Sequence, residues 1–462
     1  MSDLTTTEAA VSPLVPYGPS HPLVRRVIDS VGRRLSDEVE RMEARSGNQR
    51  LGPDDERMLA STLAFEELDT IATARLRAGE PALGANVEEH IVEVLLAEMF
   101  GLGGLQKYLD DEEIENVDVN GHDHVFVTYA DGRCEQVPPV ADNEEALLAT
   151  IKNAARRLGL GERRWDTAEP ILDLQLPDGS RLHAVLGGQS ERGMSPRPAV
   201  SLRRHRFNDL DLDDLRRMGA LDDTVVAFLR AAVQARRTIL VAGGTNTGKT
   251  TLLRALCHEI PSDERLITVE KDLLELGLHR SARHPNVVPL YSRQANVEGQ
   301  GEVTVANLVR STLRMNPSRV IVGEVLGDEV VPMLNAMSQG NDGSMCTVHA
   351  DSSEGVFSRL ASYAVQAPRP LPSMATYQLV AGAVHFVVFL SGDRKPHAPM
   401  RRYVSSVREV AGLNDGGFVM SSEIFSRGPM GLALPAAPLS DRNRELLHAF
   451  GYDIADHVGD WS

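Results

Sequence analysis

The chain has 462 residues, a length typical of about three domains, and its 42% hydrophobic and 24% charged residues are ordinary for a globular protein. This composition excludes collagen-like and low-complexity chains. Acidic residues outnumber basic ones, 65 to 48, and the formal net charge of −17 argues against a protein that grips nucleic acid along its length.

Cysteine usage and the N-terminal sequence indicate a cytoplasmic protein. The three cysteines, Cys134, Cys257 and Cys346, lie far apart, so their spacing predicts neither a zinc site nor a redox pair. So few cysteines in a long chain fit a reducing compartment. The polar N-terminal residues are unlike a signal peptide. The most apolar run, residues 379–390, is shorter than the roughly 20 residues that a membrane-spanning helix needs.

The N-terminal quarter of the chain is predicted to be helical. Residues 1–20 are polar and contain three prolines, so we expect a mobile tail. Apolar residues then recur at helical spacing from Leu23 to Leu35, from Leu59 to Leu76 and from Val87 to Phe100. We assign residues 21–86 to a helical N-terminal segment and place the start of the next domain at residue 87.

Short strands are predicted over the following hundred residues. Residues 114–120 and 125–129 have strand composition and are joined at Asn120-Gly121, a turn sequence. Alternating leucines at 172–176 and 182–186 flank a Pro-Asp-Gly turn, which predicts a hairpin. Together with a strand at 199–202, these elements indicate an α+β domain over residues 87–206.

An α/β domain is predicted for the second half of the chain. Residues 207–220 are expected to form a hinge or linker. Strand-like runs at 238–242, 266–269, 320–322 and 345–348 alternate with helical runs, which indicates a mostly parallel sheet within residues 221–428. Residues 429–462 are predicted to be a weakly structured C-terminal tail.

Residues 243–250 match the phosphate-loop pattern G-x-x-x-x-G-K-[ST] in full, between a predicted strand and a predicted helix. Its glycines let backbone N–H groups surround an anion, and the helix N-terminus adds partial positive charge. Lys249 is predicted to bridge the β- and γ-phosphates of ATP, and the Thr250 hydroxyl to ligate Mg²⁺. The predicted nucleotide-binding residues here are Gly243, Gly244, Thr245, Asn246, Thr247, Gly248, Lys249, Thr250 and Thr251.

Ionisable residues end the neighbouring predicted strands. Glu324 follows the strand at 320–322, where it is placed to polarise water or to hold Mg²⁺, and His349 follows the strand at 345–348. Glu270 ends a further strand. Arg310 and Arg314 lie four apart, a spacing that puts two helical residues on one face. The pattern alone is also compatible with solvated acids, a structural histidine and a salt-bridged surface.

These motifs, in this order, resemble the motor ATPases of type II/type IV secretion and pilus assembly, and in particular the CpaF/TadA-type ATPases of tight-adherence pili. The resemblance covers about residues 87–428. Its motif segments are 113–121, 176–182, 268–270, 296–304, 308–315, 321–325 and 342–350.

The resemblance implies a RecA-like P-loop ATPase domain preceded by an α+β domain. It also implies a homo-oligomer, a ring of six, that uses ATP and Mg²⁺ beside an inner-membrane platform protein. It assigns Glu270 to the acidic box, Glu324 to the Walker B acid and His349 to the histidine box. Arg310 and Arg314 fall in its arginine box, and Arg203 matches a linker arginine near the nucleotide.

Two alternatives stay open. Leu326 stands where the family pattern usually has arginine, and Glu270 and Glu275 are five residues apart where four is usual. These departures favour a nucleotide-binding regulator or scaffold with weak hydrolysis. A conjugation-type DNA-transfer ATPase is the other alternative; the net charge and the 5% aromatic content, which offers few platforms for base stacking, count against it.

Overall fold

The computed structural model describes residues 18–453 apart from 20, 46–50, 158–164, 189–192, 205–209, 272–273, 294, 296–299 and 394–399. The chain divides into two compact units, Met1–Arg206 and Phe207–Ser462. Several sequence predictions fall outside the described residues: most of the mobile tail at 1–20, the start of the hinge at 207–209, residues 296–299 of one motif segment, and the chain end at 454–462.

Three helices open the first unit: α1 Pro22–Arg45, α2 Pro53–Arg77 and α3 Ala85–Phe100. They share one apolar core because their buried residues recur every three or four positions, as Val27, Val31 and Leu35 do on α1. Ile91 and Leu95 of α3 pack into this same core. The domain boundary predicted between residues 86 and 87 is therefore wrong, since it separates α3 from the helices that cover its apolar face.

An antiparallel sheet forms the rest of the first unit, in the strand order β3-β2-β1-β6-β5-β4. The predicted strands and the hairpin are confirmed, and the strand predicted at 199–202 lies at the centre of the sheet. Two helices, α4 Gln106–Asp110 and α5 Glu144–Arg157, share a hydrophobic core with this sheet. The strands are β1 Ile114–Asn120, β2 Val125–Tyr129, β3 Cys134–Val137, β4 Ile171–Gln175, β5 Arg181–Val185 and β6 Ala199–Arg203.

The second unit is built on a nine-stranded sheet with the order β15-β14-β13-β12-β7-β11-β10-β8-β9. Strands from β12 to β9 in this order run parallel, and those from β12 to β15 run antiparallel. The four strands predicted for this unit are confirmed with small differences at their ends. The strands are β7 Ile239–Gly243, β8 Leu266–Glu270, β9 Val287–Tyr291, β10 Arg319–Val325, β11 Met345–His349, β12 Phe386–Asp393, β13 Arg401–Leu413, β14 Val419–Arg427 and β15 Ala433–Pro435.

Helices cover both faces of this sheet. Alternate residues of β7 enter different cores: Ile239 and Val241 pack on one face, and Leu240 and Ala242 on the other. Burial on both faces explains why β7 is a continuous apolar run. The helices are α6 Leu212–Arg217, α7 Asp223–Gln234, α8 Lys249–Cys257, α9 Val305–Thr312, α10 Val330–Ser338, α11 Gly355–Gln366, α12 Ser373–Ala383 and α13 Asp441–Ala449. The predicted fold class, a RecA-like α/β domain preceded by an α+β domain and a helical segment, is confirmed.

The ends of the predicted ATPase domain need correction. Residues 210–220 were expected in a hinge, but α6 packs Leu212 and Leu215 into the core of the second unit. Residues 429–453 were expected in a tail, but they form β15 and α13. Leu447 and Tyr452 are fully buried there, and the Tyr452 ring lies 5.6 Å from that of Phe228. Both segments are short, so their apolar spacing carries little periodic signal, and tertiary burial decides their structure.

Among the described residues, no helix combines the length and the apolar character needed to cross a lipid bilayer. The apolar run at 379–390 is divided between the end of α12 and the buried strand β12.

A buried ion pair anchors the start of β10. Arg319 is fully buried and donates hydrogen bonds to both carboxylate oxygens of Glu264, at 2.6 and 2.9 Å, and to the Val233 carbonyl at 2.8 Å. Burial alone would raise the pKa of Glu264, but the hydrogen bonds and charges of Arg319 and Arg236 hold it below its usual value.

We predict that Arg319→Met destabilises the protein by roughly 3 kcal/mol. This is the low end for a broken buried ion pair, because Arg236 remains beside Glu264. Urea denaturation measures the change. Arg359→Met is the matched control, since the Arg359–Asp351 pair is exposed and should contribute at most about 1 kcal/mol. Equal losses in the two variants would contradict the prediction.

Candidate functional site

The phosphate-loop sequence folds as a tight turn between β7 and α8. Gly248 precedes the helix with φ +92°, and Asn246 has φ +61°, so two positions lie in the left-handed region. The Thr247 hydroxyl donates to the Gly244 carbonyl at 2.9 Å, which closes the turn from inside. Thr245 and Asn246 are exposed at its tip.

Backbone donors at the start of α8 make the loop suited to an anion. The Leu252 N–H donates to the Gly248 carbonyl at 2.9 Å. The N–H groups that come before Leu252 in α8 belong to the first turn of the helix, where backbone donors typically have no partner within the helix. Thr250 and Thr251 are half-buried in that turn. The geometry fits a phosphate group, because oriented N–H donors and the helix dipole both favour negative charge there.

Lys249 is held inside the loop. Its side chain is 8% exposed, and Nζ donates to the Gly244 carbonyl at 2.9 Å. Burial lowers the pKa of Lys249 below its usual value, and the negative charge of Glu324 opposes that shift. Among the described residues this largely desolvated ammonium donates to one carbonyl and lies near a carboxylate, so it is well placed to bind phosphate oxygens as well.

Gly243 lets the loop pass close to the neighbouring strand β12. A Cβ atom at Gly243 would lie 2.7 Å from both the Leu390 carbonyl oxygen and the Thr247 hydroxyl oxygen. A Cβ at Gly244 would be 3.6 Å from the Thr247 methyl group, an ordinary contact. The first glycine is therefore required by packing and also by its φ of +156°, whereas the second has space for a methyl group.

The other candidate residues reach the loop because four parallel strands end at the same edge of the sheet. His349 pairs with Gly243 in the register of β11 and β7, so it lies beside the start of the loop. β10 is next to β11, and β8 is next to β10. Their final residues, Glu324-Val325 and Glu270, lie at the same carboxyl edge. The structure therefore brings Lys249, Glu324, His349 and Glu270 to one edge.

Glu324 is the acid that acts electrostatically on the loop. It is half-buried, and its charge acts on Lys249. Among the residues that the structure describes, no three His, Cys, Asp or Glu side chains are grouped to hold a metal ion. Mg²⁺ commonly binds through one or two protein oxygens plus phosphate oxygens, so the Thr250 hydroxyl and the Glu324 carboxylate fit that ion when a phosphate is present.

Glu270 is buried and holds the chain that follows β8. Its Oε2 accepts hydrogen bonds from the N–H groups of Glu275 and Leu276, at 2.6 and 2.8 Å. The Glu270 carboxylate thus binds the backbone of residues five and six positions further along the chain. Glu329, at the start of α10, binds nearby backbone in a similar way by accepting from the Leu326 and Gly327 N–H groups.

The candidate arginines do not end strands at this sheet edge, as Glu324, His349 and Glu270 do. Arg310 is exposed on α9 and donates to Asn307 of the same helix at 3.1 Å. The expectation that Arg314 shares a helical face with it is wrong, because α9 ends at Thr312. The Arg314 N–H bonds three residues back, and Asn316 takes φ +54° before Pro317, which stops the helix. Arg203 ends β6 in the first unit.

Two residues at this edge carry no local sequence signal that would have identified them. Arg402 of β13 donates from Nε to the Asn246 carbonyl at 2.9 Å, so an antiparallel strand far along the chain supports the loop tip. Thr347, two residues before His349, is buried and donates to the Gly323 carbonyl at 2.7 Å. Only the pairing of distant strands places these groups.

Comparison with known sequences supports a family assignment. The pattern of the family described as type II/IV secretion system protein matches residues 99–388. A candidate conjugal transfer protein of Mycobacterium tuberculosis (strain H37Rv) is 38% identical over 310 residues, 66% of this chain and 84% of that protein. The type IV secretion system protein VirB11 of Brucella suis is 35% identical over 314 residues, 63% of this chain and 83% of that protein. The crystal structure of the Brucella suis VirB11 ATPase with sulphate aligns at a TM-score of 0.34 and 32% identity, over 66% and 95% of the two chains.

We predict that Gly243→Ala lowers the free energy of unfolding of the nucleotide-free protein by about 1–3 kcal/mol, because the added methyl group meets the Leu390 carbonyl and the φ of +156° is unfavourable for any side chain. Gly244→Ala is the control within the same loop, and we expect a change within about 0.5 kcal/mol. Urea denaturation of both variants tests this. A Gly244→Ala variant as unstable as Gly243→Ala would show that neither the close approach to β12 nor the φ at Gly243 is the constraint.

Proposed function

The chain belongs to the type II/IV secretion system protein family, and from this membership and the geometry of the site we propose that it is an ATP-hydrolysing motor for secretion or pilus assembly. The observation that supports the proposal most directly is the meeting of Lys249, Glu324 and His349 at one sheet edge. A loop that only bound nucleotide would not require an acid and an imidazole at the neighbouring strand ends.

Each residue has a proposed role. The loop amides over residues 244–251 and the Lys249 ammonium bind the phosphates of ATP. The Thr250 hydroxyl and the Glu324 carboxylate would hold Mg²⁺, which when bound neutralises charge on the β- and γ-phosphates. Glu324 also accepts a hydrogen bond from the attacking water, and His349 contacts the γ-phosphate and responds to its loss. Glu270 holds the backbone N–H groups of Glu275 and Leu276 in place.

The arginines are proposed to act from outside this edge. Arg203 is proposed as a nucleotide-binding residue, and Arg310 and Arg314 would contact the triphosphate of a neighbouring copy in a ring of six. An arginine at the γ-phosphate contributes about 10³ to 10⁵ in rate in comparable enzymes. An arginine supplied by a neighbouring copy would compensate for the arginine that the family pattern has at the position of Leu326, the exposed apolar residue that follows β10.

We propose that the ring works beside an inner-membrane platform protein at the cytoplasmic face of the membrane. The load is a protein subunit, such as the pilin of a tight-adherence pilus. The relatives include a candidate conjugal transfer protein, so DNA is the second candidate load. The net charge of −17 favours protein over DNA. Turnover stimulated by DNA, with a steep loss as salt rises, would instead favour DNA.

We predict that Lys249→Ala and Glu324→Gln separate binding from hydrolysis. A hydrogen bond from a charged donor contributes about 1.5–3 kcal/mol, so Lys249→Ala should weaken ATP binding roughly 10- to 100-fold. Glu324→Gln should keep ATP binding but lower turnover about 10²- to 10⁴-fold, because it removes the base. Fluorescent-nucleotide titration and phosphate release measure the two effects.

Glu445→Gln is the matched control, since Glu445 is exposed on α13 in the same unit and should leave both quantities unchanged. Equal turnover in wild type, Lys249→Ala and Glu324→Gln would contradict the proposed activity. Tight ATP binding by the wild type without phosphate release, in hexamer-forming conditions with the membrane partner present, would favour a regulator or scaffold.

A further inference from the structure

Strands β10 and β11 lose their regular register where they approach the phosphate loop. Ile321 pairs with Met345 and Val322 with Cys346, but the next pair is Val325 with Val348. β10 therefore uses three residue steps where β11 uses two. The extra residue lies at Gly323-Glu324, which makes this a β-bulge. Bulges bend a strand and change the direction of a side chain, and they are frequent next to active sites.

The Thr347 hydroxyl lies opposite this bulge. Its Oγ1 donates to the Gly323 carbonyl at 2.7 Å, and the side chain is 1% exposed. The backbone of Thr347 pairs with Val241 of β7, so the residue connects the strand that enters the phosphate loop with the bulge on β10. A side-chain hydrogen bond thus joins β11 to β10 where the strand register is interrupted.

Gly323 is also confined from the side of β8. A Cβ atom at this position would lie 3.0 Å from Cγ of Glu270, so the Glu270 side chain occupies the space that a side chain at Gly323 would need. Gly323 is therefore contacted by the Thr347 hydroxyl at its carbonyl and has the Glu270 side chain on the side where its own Cβ would lie. Glu324 is the next residue, and the direction of its carboxylate follows from the orientation of this peptide.

We propose that Thr347 is a positioning residue for Glu324: its hydroxyl fixes the bulge at Gly323 and thereby directs the Glu324 carboxylate towards the phosphate loop. The inference rests on the proposed function, in which Glu324 is the acid that hydrolysis requires. The proposal does not require Thr347 to contact ATP.

The kinetic test compares Thr347→Val, which keeps the shape and removes the donor, with Thr347→Ser, which keeps the donor. Displacing a reacting group by about 1 Å can cost 10²-fold in rate, so we expect kcat to fall about 10- to 100-fold in Thr347→Val. The Kd for ATP should stay within about threefold, because Lys249 and the loop amides are unchanged. Thr347→Ser should keep most of the wild-type kcat. Thr347→Ala removes the same hydroxyl and must behave like Thr347→Val; a normal kcat in either would overturn the inference.

A double-mutant cycle tests whether Thr347 acts through Glu324. In the Glu324→Gln background, Thr347→Val should lower the residual rate by less than about twofold, because the group that it positions has already been removed. An undiminished loss in that background would show that Thr347 affects turnover by another route and would overturn the proposal.

Crystal structures of the nucleotide-free Thr347→Val and Thr347→Ser proteins give a test without activity. We expect the Gly323 peptide to rotate and the Glu324 carboxylate to move away from Lys249 in Thr347→Val, and both to remain in place in Thr347→Ser. An unmoved Glu324 in Thr347→Val would overturn the inference even if the wild type proved unable to hydrolyse ATP. Failure of the proposed function has a different signature, namely no turnover by the wild type or full turnover by Glu324→Gln.

Discussion

The candidate site depends on parallel pairing of β7, β11, β10 and β8, because this pairing alone brings their carboxyl ends to one edge. The register of β7 with β11 sets His349 beside Gly243, and the neighbouring pairs bring Glu324 and Glu270 into the same row. These residues are up to about a hundred positions apart in sequence. Their proximity is a property of the sheet, and it would be lost if one strand exchanged its place with another.

Charged side chains that are partly removed from water distinguish this edge of the sheet. Lys249 is largely removed from water, and Glu324 is near enough for its charge to affect the pKa of Lys249. Buried charges are costly unless other charges or dipoles compensate them, so the site is prepared for a ligand that carries several negative charges and a cation. A Mg²⁺–triphosphate would meet both requirements, and this match is the electrostatic basis of the proposal that ATP is the substrate.

Local sequence signals predicted much of the fold and the centre of the site. The phosphate loop and the apolar strands β7, β8, β10 and β11 are continuous in sequence, so residues 243–250 and the acid and histidine at the strand ends could be proposed directly. Antiparallel pairing of β12–β15, the burial of Leu447 and Tyr452, and the contacts of Arg402 and Thr347 depend on distant segments. α9 ends before Arg314 because of Asn316 and Pro317. This signal is local, but it conflicts with the four-residue spacing of Arg310 and Arg314, which predicted that the helix includes both.

The most direct test of the account is an experimental structure with Mg²⁺ and a non-hydrolysable ATP analogue. We expect the β- and γ-phosphates to lie within hydrogen-bonding distance of the amides of residues 244–250 and of Lys249 Nζ, with Glu324 and His349 facing the terminal phosphate. An analogue that binds at saturating concentration elsewhere on the protein, leaving Lys249 bonded only to the Gly244 carbonyl, would contradict it.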